Sequence, residues 1–209
     1  MKKLKPLFFF AFFISLGNII LAQEYASVSN EDYLANPIEN NYKASDLPQW
    51  SNVDTIPDFE ANQNKLKITG TIFEKDGVTP AKDVVLSIYQ TNQAGDFVLV
   101  KGENNEKEIY HSATIKTGED GQYTFYTFVP GTTHRSNELK KIHTNVKEPG
   151  KEEYGMYAFV FDNDPLLKKH CRNRLAKRGI DTILKFETEK ENDINVATKN
   201  IILSDNINE

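Results

Sequence analysis

Four histidines, nine tyrosines and one cysteine are the residues of this 209-residue chain with the most chemistry to offer. Tyr110, His134 and His143 supply phenol and imidazole donors that could hold a metal, provided the fold brings them within about 2–2.5 Å of one point. The plainer reading makes His111 and His134 exposed strand-end residues, Tyr110 a core or edge aromatic, and His143 a satisfied remnant. Cys171 beside His170 is a nucleophile beside a base by residue type, but adjacent residues on a helix point in different directions and no third group is identifiable. Lys168, Lys169, Arg172, Arg174, Lys177 and Arg178 form a basic patch that reads as a solvated helix face. No glycine-rich phosphate loop, zinc-type Cys and His cluster or Ser-His-Asp arrangement is evident.

The elements that must position these residues begin after an export signal. Lys2, Lys3 and Lys5 precede an apolar run from Leu7 to Leu16, and Ile20-Leu21-Ala22 offers a cleavage point, so residues 1–22 read as a signal peptide. No cysteine near that point could carry a lipid. Loss of three lysines and no acid moves the net charge from −5 to −8. That acidity excludes a nucleic-acid or anionic-lipid footprint. Residues 23–64 are polar, punctuated by Pro37, Pro48 and Pro57, and lack strand or helix period. They either wrap a domain through anchors such as Tyr33, Trp50 and Phe59 or serve as a linker. With Cys171 alone, no internal disulfide can form.

From residue 65 to 205 the pattern is one of short strands. Leu66, Ile68 and Ile72 alternate with polar neighbours, Asp76-Gly77 supplies a turn, and Val84, Leu86 and Ile88 start the next run. Further strands are predicted over 110–116, 122–129, 141–146, 156–161, 182–186 and 196–203. Turn signals at short intervals favour an all-β antiparallel sandwich. One helix is predicted over 165–177, with Asp164 as its cap and Pro165 at its first position.

A family resemblance becomes specific on five segments taken in order. KITGTIFEKDGVTPAKDVVLSIYQTNQAGDF at 67–97, TGEDGQYTFYTFVPG at 117–131, KIHTNV at 141–146, FDNDPLL at 161–167 and INVATKNIIL at 194–203 together resemble the intradiol ring-cleavage dioxygenases. The resemblance implies an antiparallel β-sandwich core with one short helix after Asp164. It also implies oxygen-dependent cleavage of catechol rings at a ferric ion held by two tyrosinates and two imidazoles, hard and borderline donors that suit that metal.

Carried over position by position, those ligands are mostly replaced. The first tyrosine, in the family's "GxY", corresponds to Phe97, which has no hydroxyl; the second, two residues after "PG", corresponds to Thr133. The two histidines of "HIH" correspond to Lys141 and His143, two apart on a strand and so on one face. Lys141 is a cation that repels a metal ion. His143 is the sole family ligand retained. The arginine three residues before the first histidine corresponds to Glu138, a reversal of sign, and the family's glutamine falls at Ala158.

Two function classes follow. The first is an exported, periplasmic or extracellular member of this family that lacks a complete iron site and acts as a binding or interaction module. It would need no cofactor and would offer a small aromatic ligand a cleft around Phe97, Tyr123 and Tyr126. The second is an active or atypical Fe(III) dioxygenase on an aromatic diol, with Tyr110, His134 and His143 as rearranged ligands. Neither class involves nucleic acid or, once the signal is cleaved, the membrane; nothing in the sequence specifies a protein partner.

Overall fold

Strand period and turn chemistry produce a two-sheet sandwich in the computed structural model, which describes residues 50–102, 104–132, 136–189 and 193–204. Residues 1–22, read above as a signal peptide, most of residues 23–64 including Tyr33, and two candidate site residues, Thr133 and His134, lie outside the described residues. In chain order the strands are β1 (Val53–Thr55), β2 (Lys65–Phe73), β3 (Val85–Tyr89), β4 (Leu99–Lys101), β5 (Lys107–Ile109), β6 (Ser112–Lys116), β7 (Gln122–Phe128), β8 (Lys141–Lys147), β9 (Tyr154–Phe161), β10 (Ile183–Leu184), β11 (Phe186–Glu189), β12 (Ile194–Thr198) and β13 (Ile201–Ile202). One helix, α1 (Lys169–Lys177), lies between β9 and β10. Among the described residues no helix is long and apolar enough to cross a membrane.

The first sheet runs β1-β7-β2-β12-β11, with β13 also on β2; the second runs β10-β9-β8-β3-β6; β4 and β5 form a separate hairpin. Alternation buries one face of each sheet. Leu66, Ile68 and Phe125 of the first pack with Leu86, Ile88, Ile115, Ile142 and Val146 of the second in one core cluster. Each fully buried branched side chain contributes about 1.5–3 kcal/mol over its exposed state.

Several local expectations are corrected. The central pairings β2–β7, β3–β6, β3–β8 and β8–β9 are antiparallel, but β1 on β7, β12 and β13 on β2, and β10 on β9 are parallel, so both sheets are mixed. None of these strands follows its parallel partner through a tight hairpin; each is separated from it by a long stretch of chain, as a parallel pairing requires. Strands β1, β4 and β5 were not expected, because none carries an extended alternating run. Residues 50–64 contribute β1 and the buried Ile56 and Phe59, whereas Trp50 is exposed.

The helix starts at Lys169, four residues later than its sequence suggests. Asp164 is buried and its carboxylate accepts hydrogen bonds from Leu166 N and Lys140 N, both at 2.9 Å. It therefore closes a turn around Pro165 and ties that turn to the segment leading into β8, rather than capping α1. As expected, α1 is a surface element with no buried residue.

Candidate functional site

Strand β8 alternates between the core and the outer face of the second sheet. Ile142, Thr144 and Val146 are buried, while Lys141, His143 and Asn145 share the opposite face. Tyr89 ends β3 directly opposite His143 in the antiparallel register. Their rings stack with centroids 4.9 Å apart and planes within 10°. Phe97 closes the group, 5.9 Å from His143 and 6.3 Å from Tyr89. The result is a three-ring cluster with Lys141 beside it.

Burial is the main cause that pushes the His143 imidazolium down to a pKa of about 4, and the Lys141 charge adds to it. At neutral pH His143 is therefore an uncharged imidazole. Ile142 pairs with Phe159 and Thr144 with Met156, so Tyr157 and Ala158 together face His143 alone. This β-bulge occurs in β9 at the site strand itself, and bulges re-aim the residues around them. The hydroxyl of Thr182 donates to the Ala158 carbonyl and holds the bulge.

Phe97 is delivered by a loop that is fastened at several points. Gln90 is buried, donating to Phe128 O at 2.9 Å and accepting from Thr127 Oγ1 at 2.8 Å. The Asn92 side chain accepts from Ala94 N at 2.9 Å and Asp96 N at 3.0 Å, shaping the turn before Phe97. The Pro130-Gly131 turn is joined to it: Gly131 N donates to Asn92 O at 2.9 Å, and Thr91 Oγ1 donates to Gly131 O at 2.8 Å. A Cβ at Gly131 would lie 2.1 Å from Gln93 O, inside any real contact distance. Gly131→Ala is expected to lower stability by about 1–3 kcal/mol through overpacking and to loosen the Phe97–His143 contact. A urea midpoint and the ring-to-ring proton contacts read both; unchanged values would refute this account of the loop.

The sequence-derived candidates are brought together only in part. Phe97, Lys141 and His143 meet, and Ala158 sits in the bulge opposite His143; Glu138 is exposed in the segment before β8. Tyr110 instead turns its hydroxyl to Asp58 at 3.4 Å and packs edge-on against His111 at 5.0 Å. Among the described residues no group of three His, Cys, Asp or Glu side chains could hold a metal ion. The expected cleft of Phe97, Tyr123 and Tyr126 does not form. Tyr123 points into the core, where its hydroxyl donates to Lys199 O at 2.6 Å, and Tyr126 packs on Phe59 at 5.7 Å. Both belong to β7 of the other sheet, which sequence position alone does not reveal. Tyr89 takes their place beside Phe97; its signal was its position in Ile88-Tyr89-Gln90, but its contact with His143 depends on strand register. His170 and Cys171 do approach, with Nε2 3.2 Å from Sγ, contrary to the expectation that they point apart.

No family model matches the chain, and no curated protein is similar to it in sequence. Solved structures do match. The dioxygenase domain of a dioxygenase carbohydrate-binding protein fusion from Streptomyces sp. SirexAA-E aligns with a TM-score of 0.55 and 19% identity, covering 79% of this chain and 94% of that one. The 3-chlorocatechol 1,2-dioxygenase of Rhodococcus opacus 1CP gives 0.54 at 16% identity, over 77% of this chain and 68% of its own. The catechol 1,2-dioxygenase of Acinetobacter radioresistens gives 0.52 at 14%, over 77% and 59%. At such identities the likeness establishes the fold.

Proposed function

We infer that this chain, which has the fold of the intradiol ring-cleavage dioxygenases, is an exported protein that lacks a complete ferric site and works as a binding or interaction module. The observation that carries this reading is the ring cluster around His143. Phe97 presents a hydrocarbon ring with no donor atom, Tyr89 covers the imidazole face, and Lys141 brings a positive charge close enough to depress the His143 pKa. A ferric ion needs several convergent anionic or neutral donors. Of these four side chains one is a cation, one has no donor and one is stacked on the imidazole. The described donor set therefore does not fit iron.

The partly exposed Phe97 ring, with the Lys141 cation on the neighbouring strand face, suits contact with a small aromatic ligand. Export would place that ligand in the periplasm or outside the cell, in keeping with the basic and apolar start of the chain and its acidic remainder. The test is direct. Purified mature protein, incubated with ferric and ferrous salts and then desalted, is expected to retain far less than one iron per chain, to show no tyrosinate-to-iron colour and to leave catechol intact under oxygen. Stoichiometric iron that is lost in His143→Ala would instead establish the active or atypical dioxygenase reading.

A further inference from the structure

A second constellation lies apart from the ring cluster, where residues 50–64 meet the turn before β6. Asp58 is held in the left-handed region, φ +64°, which is sparsely populated by non-glycine residues. There its carboxylate faces two donors, His111 Nε2 at 3.3 Å and Tyr110 OH at 3.4 Å. Both distances are at the long end for hydrogen bonds, so the carboxylate retains acceptor capacity. His111 is only 4% exposed, and its Nδ1 is buried with no hydrogen-bond partner. A cavity of about 330 Å³ opens against these groups, walled by Asn62, Asn92 and Val98 and floored by Phe128, which meets the His111 ring edge-on at 5.3 Å.

A metal ion is the obvious first candidate, given a His, an Asp and a Tyr in one place. Coordination through His111 Nε2 would leave Nδ1 as the protonated nitrogen, and metal-bound histidines give that proton to an acceptor. None is present. With Nε2–H directed to Asp58, Nδ1 is instead a bare acceptor, a lesser cost than an orphaned donor. Nδ1 itself is shut away from solvent, so what the cavity presents is the Asp58 carboxylate, with Asn62, Asn92 and Gln93 around it. It carries one formal negative charge, and none of its described lining residues is a cation.

We propose that this cavity binds a small protonated alkylamine. The ammonium would pair with the half-exposed Asp58 carboxylate beside the Phe128 ring, and the alkyl part would lie along Val98. Charge pairing and a cation near aromatic rings are the interactions that recognise such groups in water-accessible sites. An anion would meet only like charge. A neutral polyol could satisfy the acceptors but would gain nothing from the carboxylate's charge.

The test uses butylammonium chloride as the probe, with butan-1-ol and glucose as neutral counterparts and butyrate as the anion, each titrated calorimetrically into the full protein. Saturable binding of butylammonium is expected, at least roughly ten-fold tighter than any of the other three, a ratio worth about 1.4 kcal/mol. Asp58→Asn, which keeps a residue tolerant of the left-handed conformation, should weaken it at least ten-fold while near-ultraviolet circular dichroism stays unchanged. Should that variant unfold, Asp58→Gly, which also removes the carboxylate and is at ease in the left-handed region, serves as the second arm with the same expected loss. Equal affinity for butan-1-ol or glucose, unchanged binding in a folded variant, or no saturable butylammonium binding would overturn the proposal. Iron content is unaffected by any of these outcomes, so they are separate from the fate of the ring-cluster reading.

Discussion

Acidification from about pH 6.5 to about 4 should cost this protein up to about 3 kcal/mol through His143 alone. The sign follows from where the proton goes. In the unfolded chain the imidazole titrates near its ordinary 6.5, whereas in the fold burial and the Lys141 charge hold it down to about 4. Between those values the unfolded state binds more protons than the native state, so stability falls as pH falls. Above 6.5 neither state is protonated, and below 4 both are, so the contribution is flat outside the window. A chemical-denaturation series on the native protein and on His143→Phe isolates the term, since every other titrating group is common to both. The difference between the two curves should open below pH 6.5 and level off near 4. Lys141→Met should raise the His143 pKa only partway, because burial is the larger cause. Titration of the His143 ring proton near 6.5 in the native protein would sink the prediction and, with it, the stacked geometry on Tyr89.

Gly70→Ala is expected to destabilise the fold by about 3 kcal/mol or more, at the upper end for overpacking. A Cβ on Gly70 would lie 1.9 Å from the carbonyl oxygen of Lys199, in the link between β12 and β13. That carbonyl cannot retreat cheaply. It accepts from Tyr123 OH at 2.6 Å, and Lys199 N donates to Thr69 O at 2.7 Å. The Lys199 ammonium, itself buried, is fixed by Asp181 and by Ile183 O at 3.2 Å. Nearby, Asn200 accepts from Thr71 N at 3.0 Å. Moving the link would break bonds that join β2, β7 and β12, so the loss should appear as a lower urea midpoint in a single cooperative transition. A midpoint within error of the native protein would show that the closing strands are not packed on β2 in this way.

Much of the frame was legible because its signals are local. The alternation of Leu66, Ile68 and Ile72, and of Ile142, Thr144 and Val146, states which face of a strand is buried whatever lies opposite. Turn signals such as Asp76-Gly77 are also local: the Asp76 carboxylate accepts from Val78 N and Thr79 N, both at 2.8 Å, and Gly77 adopts φ +70°. What failed was of another kind. Asp164-Pro165 has the form of a helix start, yet the buried Asp164 carboxylate is committed to Lys140 across the fold, and the helix begins at Lys169. The parallel direction of β1, β10, β12 and β13 was not legible, because a strand's direction is imposed by the strand it joins; of the four, only the three-residue β1 lies outside the predicted strands.

At the site the same division holds. The residue types at positions 97, 141 and 143 were determined by the sequence by itself: a ring without a hydroxyl, a cation, and one imidazole, with the last two on one face because a strand has a period of two. That the imidazole is covered by Tyr89, and that Tyr123 and Tyr126 belong elsewhere, was decided only by the tertiary structure. So was the meeting of Tyr110 and His111 at the Asp58 carboxylate. The physical reason is that side-chain chemistry belongs to each residue separately, whereas burial, ring stacking and the environment that sets a pKa depend on sheet register and loop closure between segments tens of residues apart.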